Sequence, residues 1–597
     1  MSLLQRVVGQ RGSLFRVCGA RSLAALKTTY RPQSTRAEES AAHGAAARPF
    51  DEIPGPKGLP LIGTAWDYTP FGRFPLKTNM RDSFRERRKT YGSIYREKLG
   101  PMDLVVISDP KEIEKVFRNE GRYPERLPLM SMKIYRELKK MPVGLVNQCR
   151  NGEEWQRVRS SVQKDMMRPK TVGAYASLQD DVSRDLVDVI RALTEKEESG
   201  GQVHNFTNYV YRWALESISV VVLDKRLGCM TLEDLEPGSD AQLMIDGVND
   251  FFNAFVKLEL SAVGLYKYIS TPTWRKFEKG IDQWHTVAAK LLNEKLAKSA
   301  AEDGKPSESD FLQSLLSRND VTFEEAMLTA VELLFGGIDT TGNTLMFNLF
   351  CLAKNPEAQK KLYQEIMEVI SAGQPVDDKM LNKMHYLRAV VKETFRVYPT
   401  APNNLRILDR DIVLSGYVVP AKLEGQVSNG SCLQLADESS AMRAGVIKAD
   451  LECKSHPAAR CKHPNQNQHV SLELVPLEKA DAKSVWVSDS QPTKILMATD
   501  VISSHPEYYP EPEVFKPERW LRTRDDESSG VQPFTHLPFG YGPRMCIGRR
   551  FAEQELFLGL IRIVQNFHVG WSGEDMKQVN RMIQSPDRDS FVFSERA

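Results

Sequence analysis

Pro538-Phe539-Gly540-Tyr541-Gly542-Pro543-Arg544-Met545-Cys546-Ile547-Gly548 is the stretch on which the reading of this chain turns. Gly540, Gly542 and Gly548 permit tight turns and a close approach of backbone to a flat cofactor. Cys546 stands among them with an arginine two residues before it. A metal thiolate needs shielding, a charge partner and backbone N–H groups that tune the sulfur. Phe539 supplies a ring to pack on the sulfur or the cofactor, and Arg544 a cation for an anionic cofactor edge. A lone cysteine is ordinarily a small buried hydrophobe. The complete series Phe-x-x-Gly-x-Arg-x-Cys-x-Gly favours a metal ligand instead.

The other cysteines (18, 149, 229, 351, 432, 453 and 461) are scattered without a disulfide rhythm, as in a reducing compartment. The 597 residues are 41% hydrophobic and 26% charged, an ordinary globular composition with length enough for a large core. A formal net charge of +2 provides no global field for nucleic acid. Partner recognition must come from local charge.

The N-terminus carries Arg6, Arg11, Arg16, Arg21, Lys27, Arg31 and Arg36 before the first acid, Glu38. Leu3, Leu4, Val7, Val8, Leu14, Phe15 and Val17 could share one helical face. An Arg-rich, acid-poor amphipathic start reads as an organelle transit peptide, here within residues 1–45 with its linker. No apolar run of about 20 residues follows, so no transmembrane helix is expected. The catalytic domain is expected to span 50–597. Its entry, Ile53-Pro54-Gly55-Pro56-Lys57-Gly58, is too rich in proline and glycine for helix.

A strand pair is expected at Ser93–Leu99 and Met102–Ser108, then mostly helix to about residue 400. Thr322-Phe323-Glu324-Glu325 is a capping box opening a long apolar helix. Within it, Gly336-Gly337 costs about 1 kcal/mol per glycine against alanine, so a kink or a nearby ligand is expected there. Asn355-Pro356-Glu357 reads as another helix start. A further helix runs from about Met384 to Val397, and a final amphipathic one starts at Arg549. Asp411–Pro420 and Lys494–Val501 look like two arms of one hairpin.

Three further motifs accompany the cysteine stretch, in order: Trp155-Gln156-Arg157-Val158-Arg159, Gly336-Gly337-Ile338-Asp339-Thr340-Thr341, and Glu393-Thr394-Phe395-Arg396 followed by Phe515-Lys516-Pro517-Glu518-Arg519-Trp520. By residues alone, Glu393 and Arg396 make an i,i+3 ion pair worth about 0.3 kcal/mol at a surface. The threonines alone would bond back to helix carbonyls. Taken together, the four motifs resemble the cytochrome P450 family. Outside one inserted segment, the chain resembles the arthropod mitochondrial members.

The resemblance implies a mainly helical fold with small sheets and haem b between the Gly-Gly-x-Asp-Thr helix and the cysteine loop. Cys546 would be the axial ligand of the haem iron. Phe539, Gly540, Gly542, Arg544 and Gly548 would build the loop, with Trp155, Arg159 and Arg406 at the propionates and His536 a further candidate. Glu393, Arg396 and Arg519 would form a structural triad bracing the loop. Gly336 and Gly337 would open a groove on the distal face, where Thr340 donates a hydrogen bond and Asp339 feeds protons. The implied reaction inserts one oxygen atom of O2 into a lipophilic substrate, with Ala401 and Asn404 in its pocket. Arg388, Lys392, Arg549 and Arg550 match the basic sites at which mitochondrial members dock a [2Fe–2S] ferredoxin, itself reduced by a ferredoxin reductase. The implied location is the matrix side of the inner mitochondrial membrane, in peripheral contact.

Residues 423–492 depart from the family, which has a short turn there. They are polar, with little apolar periodicity, and read as a disordered insertion. Cys453, His456, Cys461 and His463, with Cys432 and His469 nearby, fit no standard zinc spacing. A haem protein disabled by this insertion, or an isomerase or peroxygenase needing no ferredoxin, are the alternatives. Asp339-Thr340 and the basic docking residues argue against the latter. The basic start generates a direct test: N-terminal sequencing of protein extracted from mitochondria should find a cut between Arg31 and Pro49. An intact Met1 there, or recovery from the endoplasmic reticulum, would overturn the localisation.

Overall fold

The Thr322 side chain accepts from the Glu325 N–H while the Glu325 carboxylate accepts from the Thr322 N–H, and on this reciprocal cap starts the helix around which the chain is built. A computed structural model describes residues 47–423, 491–521 and 531–596, apart from 61, 101, 128, 143, 146–151, 197–199, 234, 260, 262–263, 302–309 and 372. The expected transit segment and the cysteines and histidines of the insertion lie outside the described residues. Arg48–Ala597 form one compact unit.

The helices are α1 (Leu76–Tyr91), α2 (Pro110–Asn119), α3 (Met130–Lys139), α4 (Gly152–Met166), α5 (Pro169–Ala174), α6 (Ala176–Lys196), α7 (Phe206–Val222), α8 (Asp240–Glu259), α9 (Pro272–Ala301), α10 (Phe311–Leu316), α11 (Phe323–Lys354), α12 (Pro356–Val369), α13 (Asp378–Lys383), α14 (His385–Val397), α15 (Thr499–Ser503) and α16 (Arg549–Asn566). The fold is therefore mainly helical with small sheets. α11 is buried almost throughout and packs against α7. Two glycines set how close α7 comes. A Cβ on Gly337 would lie 2.9 Å from Ile218, and one on Gly342 would lie 2.8 Å from Tyr211. Gly336 is different: a Cβ there would meet nothing within 4 Å. The helix runs unbroken through all three, so the glycines serve approach on one face and space on the other, not a break.

α16 is not amphipathic as expected. It is buried from Gln554 to Val564, including Gln554, Glu555 and Arg562. Arg562 pairs with Asp180 of α6 at 2.6 Å through both Nε and Nη2, so this charge enters the core with its partner, whereas one Glu555 carboxylate oxygen is buried with no hydrogen-bond partner among the described residues. Asn355 also acts otherwise than expected. Its Nδ2 donates to the Cys351 carbonyl, which closes α11, and α12 starts on Pro356 without a side-chain cap.

The main sheet has the order β1 (Ile94–Leu99), β2 (Met102–Ile107), β8 (Lys494–Met497), β3 (Asn404–Ile407). β8 runs parallel to β2 and antiparallel to β3. The expected pairing of Asp411–Pro420 with Lys494–Val501 does not occur. Instead β4 (Ile412–Leu414) and β5 (Tyr417–Val419) form a hairpin between themselves. Its turn is Ser415-Gly416, both at positive φ of 49° and 79°, the two-residue geometry that suits strand twist. Alternation marks a strand but does not name its partner. What joins the ends of the insertion is a two-residue ladder, β6 (Lys422–Leu423) with β7 (Gln491–Pro492), in which Leu423 faces Gln491.

α14 is tied to the segment after α15 by one carboxylate. Glu393 is wholly buried and accepts from Arg396 Nε and Nη2 at 2.9 and 2.8 Å. It also accepts from Arg519 Nε at 3.0 Å, Trp520 Nε1 at 2.8 Å and the Lys516 N–H at 2.9 Å. Arg396 spends its other hydrogens on the carbonyls of Ser503, Pro512 and Val514.

Two outcomes follow from these contacts. Glu393→Gln leaves the buried Arg396 without its counter-charge and should cost about 3–5 kcal/mol. Lys361→Ala breaks the exposed pair with Glu518 and should cost under about 1 kcal/mol. Urea unfolding of both compares them, and equal costs would refute the bracing role of Glu393. Because Leu423 and Gln491 are ladder neighbours, replacing 424–490 by a short Asn-Gly turn should close without strain. Shortening the loop from roughly seventy residues to a few should stabilise by up to roughly 3 kcal/mol. A loss of folding on this deletion would show that the segment contributes core energy.

Candidate active site

Cys546 lies between the turn at Gly540–Gly542 and the first turn of α16. Gly540 and Gly542 both take φ near +70°, the left-handed region that glycine enters without cost. A Cβ on Gly542 would also lie 2.4 Å from a Glu120 oxygen. Gly548 has an ordinary φ of −83° as the residue capping α16, so no turn requires it. A Cβ there would meet nothing within 4 Å. The Cys546 N–H donates to the Phe539 carbonyl at 2.8 Å. The Phe539 ring meets Phe395 of α14 edge to face at 5.2 Å, which links the loop to the Glu393 brace.

The thiol is exposed by area, yet enough protein surrounds it that burial pushes its pKa up. Both hold for a group lining an internal cleft. The Gly548 N–H, Arg159, Arg126 and Arg549 oppose that shift and favour the thiolate.

Four arginines gather about this loop. Arg159 Nη2 donates to the Met545 carbonyl at 2.7 Å, and Arg126 Nη2 to the Arg544 carbonyl at 2.5 Å. Arg544 Nε donates to the Pro124 carbonyl, and its guanidinium lies 3.7 Å from the centre of the Trp155 ring. Arg406 pairs with the buried Glu120. Burial, with mutual repulsion among Arg126, Arg406, Arg544 and Arg159, pushes Arg126 and Arg544 down to about 9. Burial alone takes Arg159 to about 10, opposed by Cys546. Arg406 Nη2 is buried with no hydrogen-bond partner among the described residues. A concentration of buried guanidiniums around a soft ligand fits a flat dianionic metal cofactor, so the residues fit haem b. Arg126 and Glu120 escaped the sequence reading. Tyr123-Pro124-Glu125-Arg126 carries no periodicity and no motif long enough to single them out.

On α11 the Thr340 hydroxyl donates to the Gly336 carbonyl at 2.6 Å, on the side where Gly336 leaves open space. Asp339 is buried beneath, and burial raises its pKa to about 6. Asn404 heads β3 with its Oδ1 3.2 Å from where a Gly540 Cβ would be, so it borders the cysteine loop. Ala401 is exposed.

His536 is engaged elsewhere. Its ring packs on Trp520 at 4.6 Å and its Nε2 donates to the Lys392 carbonyl at 3.1 Å. Burial pushes its pKa to about 3, so it is neutral and supports the Glu393 brace from the side.

Arg388, Lys392 and Arg549 converge on one face. Lys392 is depressed by partial burial and by repulsion from the two arginines, with Glu553 opposing. Arg549 pairs with Glu553 at 3.1 Å, and Arg550 is exposed beside it.

The family model for cytochrome P450 matches residues 53–434 and 491–591. Probable cytochrome P450 49a1 of Drosophila melanogaster is 30% identical over 579 residues, covering 94% of this chain and 85% of its own length. Probable cytochrome P450 12a5, mitochondrial, of the same fly is 31% identical over 546 residues, 88% of this chain and 86% of the fly protein. The mitochondrial 1,25-dihydroxyvitamin D(3) 24-hydroxylase of Rattus norvegicus is 27% identical over 543 residues, 91% of this chain and 88% of the rat protein. With a family match across most of its length and the cysteine loop, brace and Asp-Thr helix in place, this chain belongs to the cytochrome P450 family of monooxygenases.

Proposed function

We propose that the protein hydroxylates a lipophilic small molecule in mitochondria, with electrons from a [2Fe–2S] ferredoxin and its reductase. The observation that carries the haem assignment is the accessible Cys546 thiol within a ring of buried guanidiniums. Cys546 would bind the iron, and Arg126, Arg159, Arg406 and Arg544, with Trp155 under Arg544, would hold the propionates. Haem bound there supplies reductive activation of O2 and transfer of one oxygen atom to a C–H bond. The Thr340 hydroxyl, resting on the Gly336 carbonyl, is positioned to turn and donate into the open groove beside Gly336. Asp339 can hold a proton near neutral pH because burial raises its pKa to about 6. This acid and alcohol favour monooxygenation over an isomerase or a peroxygenase.

The crowded cations Arg388, Lys392 and Arg549, with Arg550 exposed beside them, favour an acidic partner, since contact with carboxylates relieves the repulsion. The ferredoxin and the mitochondrial location draw support from the relatives named mitochondrial and from the basic, acid-poor start. No helix among the described residues is long and apolar enough to cross a membrane, and peripheral contact with the inner membrane accords with that. Ala401 and Asn404 would line part of the substrate pocket.

Reduced protein with carbon monoxide should give the red-shifted Soret band of a thiolate ligand, and Cys546→Ala should abolish it. A band that survives would refute the axial ligand. In a reconstituted ferredoxin chain, Thr340→Ala should keep consuming oxygen while peroxide rises several-fold per oxygen. An unchanged ratio would remove Thr340 from the mechanism.

A further inference from the structure

Arg406 of β3 is wholly buried, and its hold can be traced bond by bond. Nε donates to Glu120 Oε2, and Nη1 donates to the Leu405 carbonyl at 3.0 Å. The guanidinium lies 5.0 Å from the centre of the Phe117 ring on α2. A planar guanidinium fixed at two nitrogens against a ring face has no freedom to rotate. Only Nη2 is left over, buried and without a hydrogen-bond partner among the described residues.

Glu120 is in turn rigidly mounted. It closes the C-terminus of α2, and the residues that follow it are fastened on two sides. The Ile407 N–H donates to the Glu125 carbonyl at 3.1 Å, which ties the segment to β3. Arg544 Nε donates to the Pro124 carbonyl at 2.9 Å and Arg126 Nη2 to the Arg544 carbonyl, which ties it to the cysteine loop. Glu120 Oε1 is buried with no hydrogen-bond partner among the described residues. It lies against Gly542, where any Cβ would strike it. Glycine is thus required at 542 by the carboxylate as well as by φ.

A carboxylate is an unexpected tenant of a cradle for a dianion. It competes with the cofactor for the arginines, and leaving one of its oxygens unpaired is costly. Burial pushes its pKa up, while Arg406, Arg126 and Arg544 oppose that and favour the charged form. The contact with Arg406, always a cation, is a charge-assisted hydrogen bond. We propose that Glu120 is a positioning residue, which aims Arg406 Nη2 at a haem propionate and by its negative charge lowers the potential at which the iron is reduced. The proposal rests on the haem assignment made above. An electron entering the site adds negative charge, which the surrounding guanidiniums favour and a neighbouring carboxylate disfavours. Glu120 offsets part of the arginine field while holding one of those arginines still.

The test uses the holoenzyme and has two readouts, the ferric–ferrous potential by spectroelectrochemical titration and the rate of haem transfer to apomyoglobin. Glu120→Gln keeps the shape and an oxygen for Arg406 Nε but removes the charge. It should shift the equilibrium toward the ferrous state about tenfold, or about 59 mV for one electron. A residue that served stability alone would leave the potential of the intact holoenzyme where it was, so an unchanged potential in a haem-replete Gln variant overturns the charge role. Glu120→Asp keeps the charge but falls one methylene short of Arg406. It should hold the potential near that of the wild type and release haem at least about fivefold faster. Haem release at the wild-type rate overturns the aiming role. The underlying reading fails separately: if the reduced wild-type protein with carbon monoxide shows no thiolate Soret band, the haem assignment is wrong whatever Glu120 does.

Discussion

The Glu393 carboxylate is the contact on which the rest of the site depends. Five N–H donors from four residues converge on two oxygens that no water reaches. Such an arrangement has a single low-energy geometry, because moving any donor strands a charge in a medium that does not solvate it. α14 therefore cannot shift relative to the Lys516–Trp520 segment. Through Phe395 and Phe539 that rigidity passes to the cysteine loop. His536 adds to it as a neutral ring wedged between Trp520 and the Lys392 carbonyl. Lys392 of the basic face directly precedes Glu393, so the surface proposed to receive electrons is fixed by the same contact that fixes the Cys546 loop.

Much of this was legible in the sequence because short motifs name chemistry directly. Glu393, Arg396 and Arg519 are recognisable from spacing and order, and the structure joins them on one carboxylate. The capping box at Thr322 was legible for the same reason: its two hydrogen bonds are local. Contacts between distant segments were not. Arg126 and Glu120 reach the cysteine loop only through tertiary folding, and nothing in Tyr123-Pro124-Glu125-Arg126 points there. The strands at 411–420 and 494–497 were visible as strands, but their partners were not, since alternation records which face is buried and not which edge is paired. His536 misled because a histidine near a cofactor loop suggests a cofactor contact, whereas burial made this one a neutral spacer. α16 looked amphipathic because its charges were visible and their buried partners were not: Asp180 lies far away in sequence.

α11 shows how one helix divides its tasks by direction. The rotation between successive residues sends Gly336 and Thr340 toward open space and Ile338, Gly337 and Gly342 toward neighbouring helices. The two glycines against α7 have a purpose unlike that of Gly336. They thin the helix so that Ile218 and Tyr211 come within contact, which carries a phenol from α7 to the edge of a buried acid. A bulkier residue at Gly342 would strike the Tyr211 ring and force α7 away from α11.

The two-residue ladder between Lys422–Leu423 and Gln491–Pro492 has a bearing beyond this chain. A pair of strand ends held side by side presents the two termini that any guest polypeptide needs, a few ångströms apart and on a hairpin separate from the main sheet. A guest whose own ends lie close together could be spliced there without pulling on β8 or on the Cys546 loop. The position is in effect a socket, where a fluorescent reporter or a tethered redox module could be carried by the enzyme.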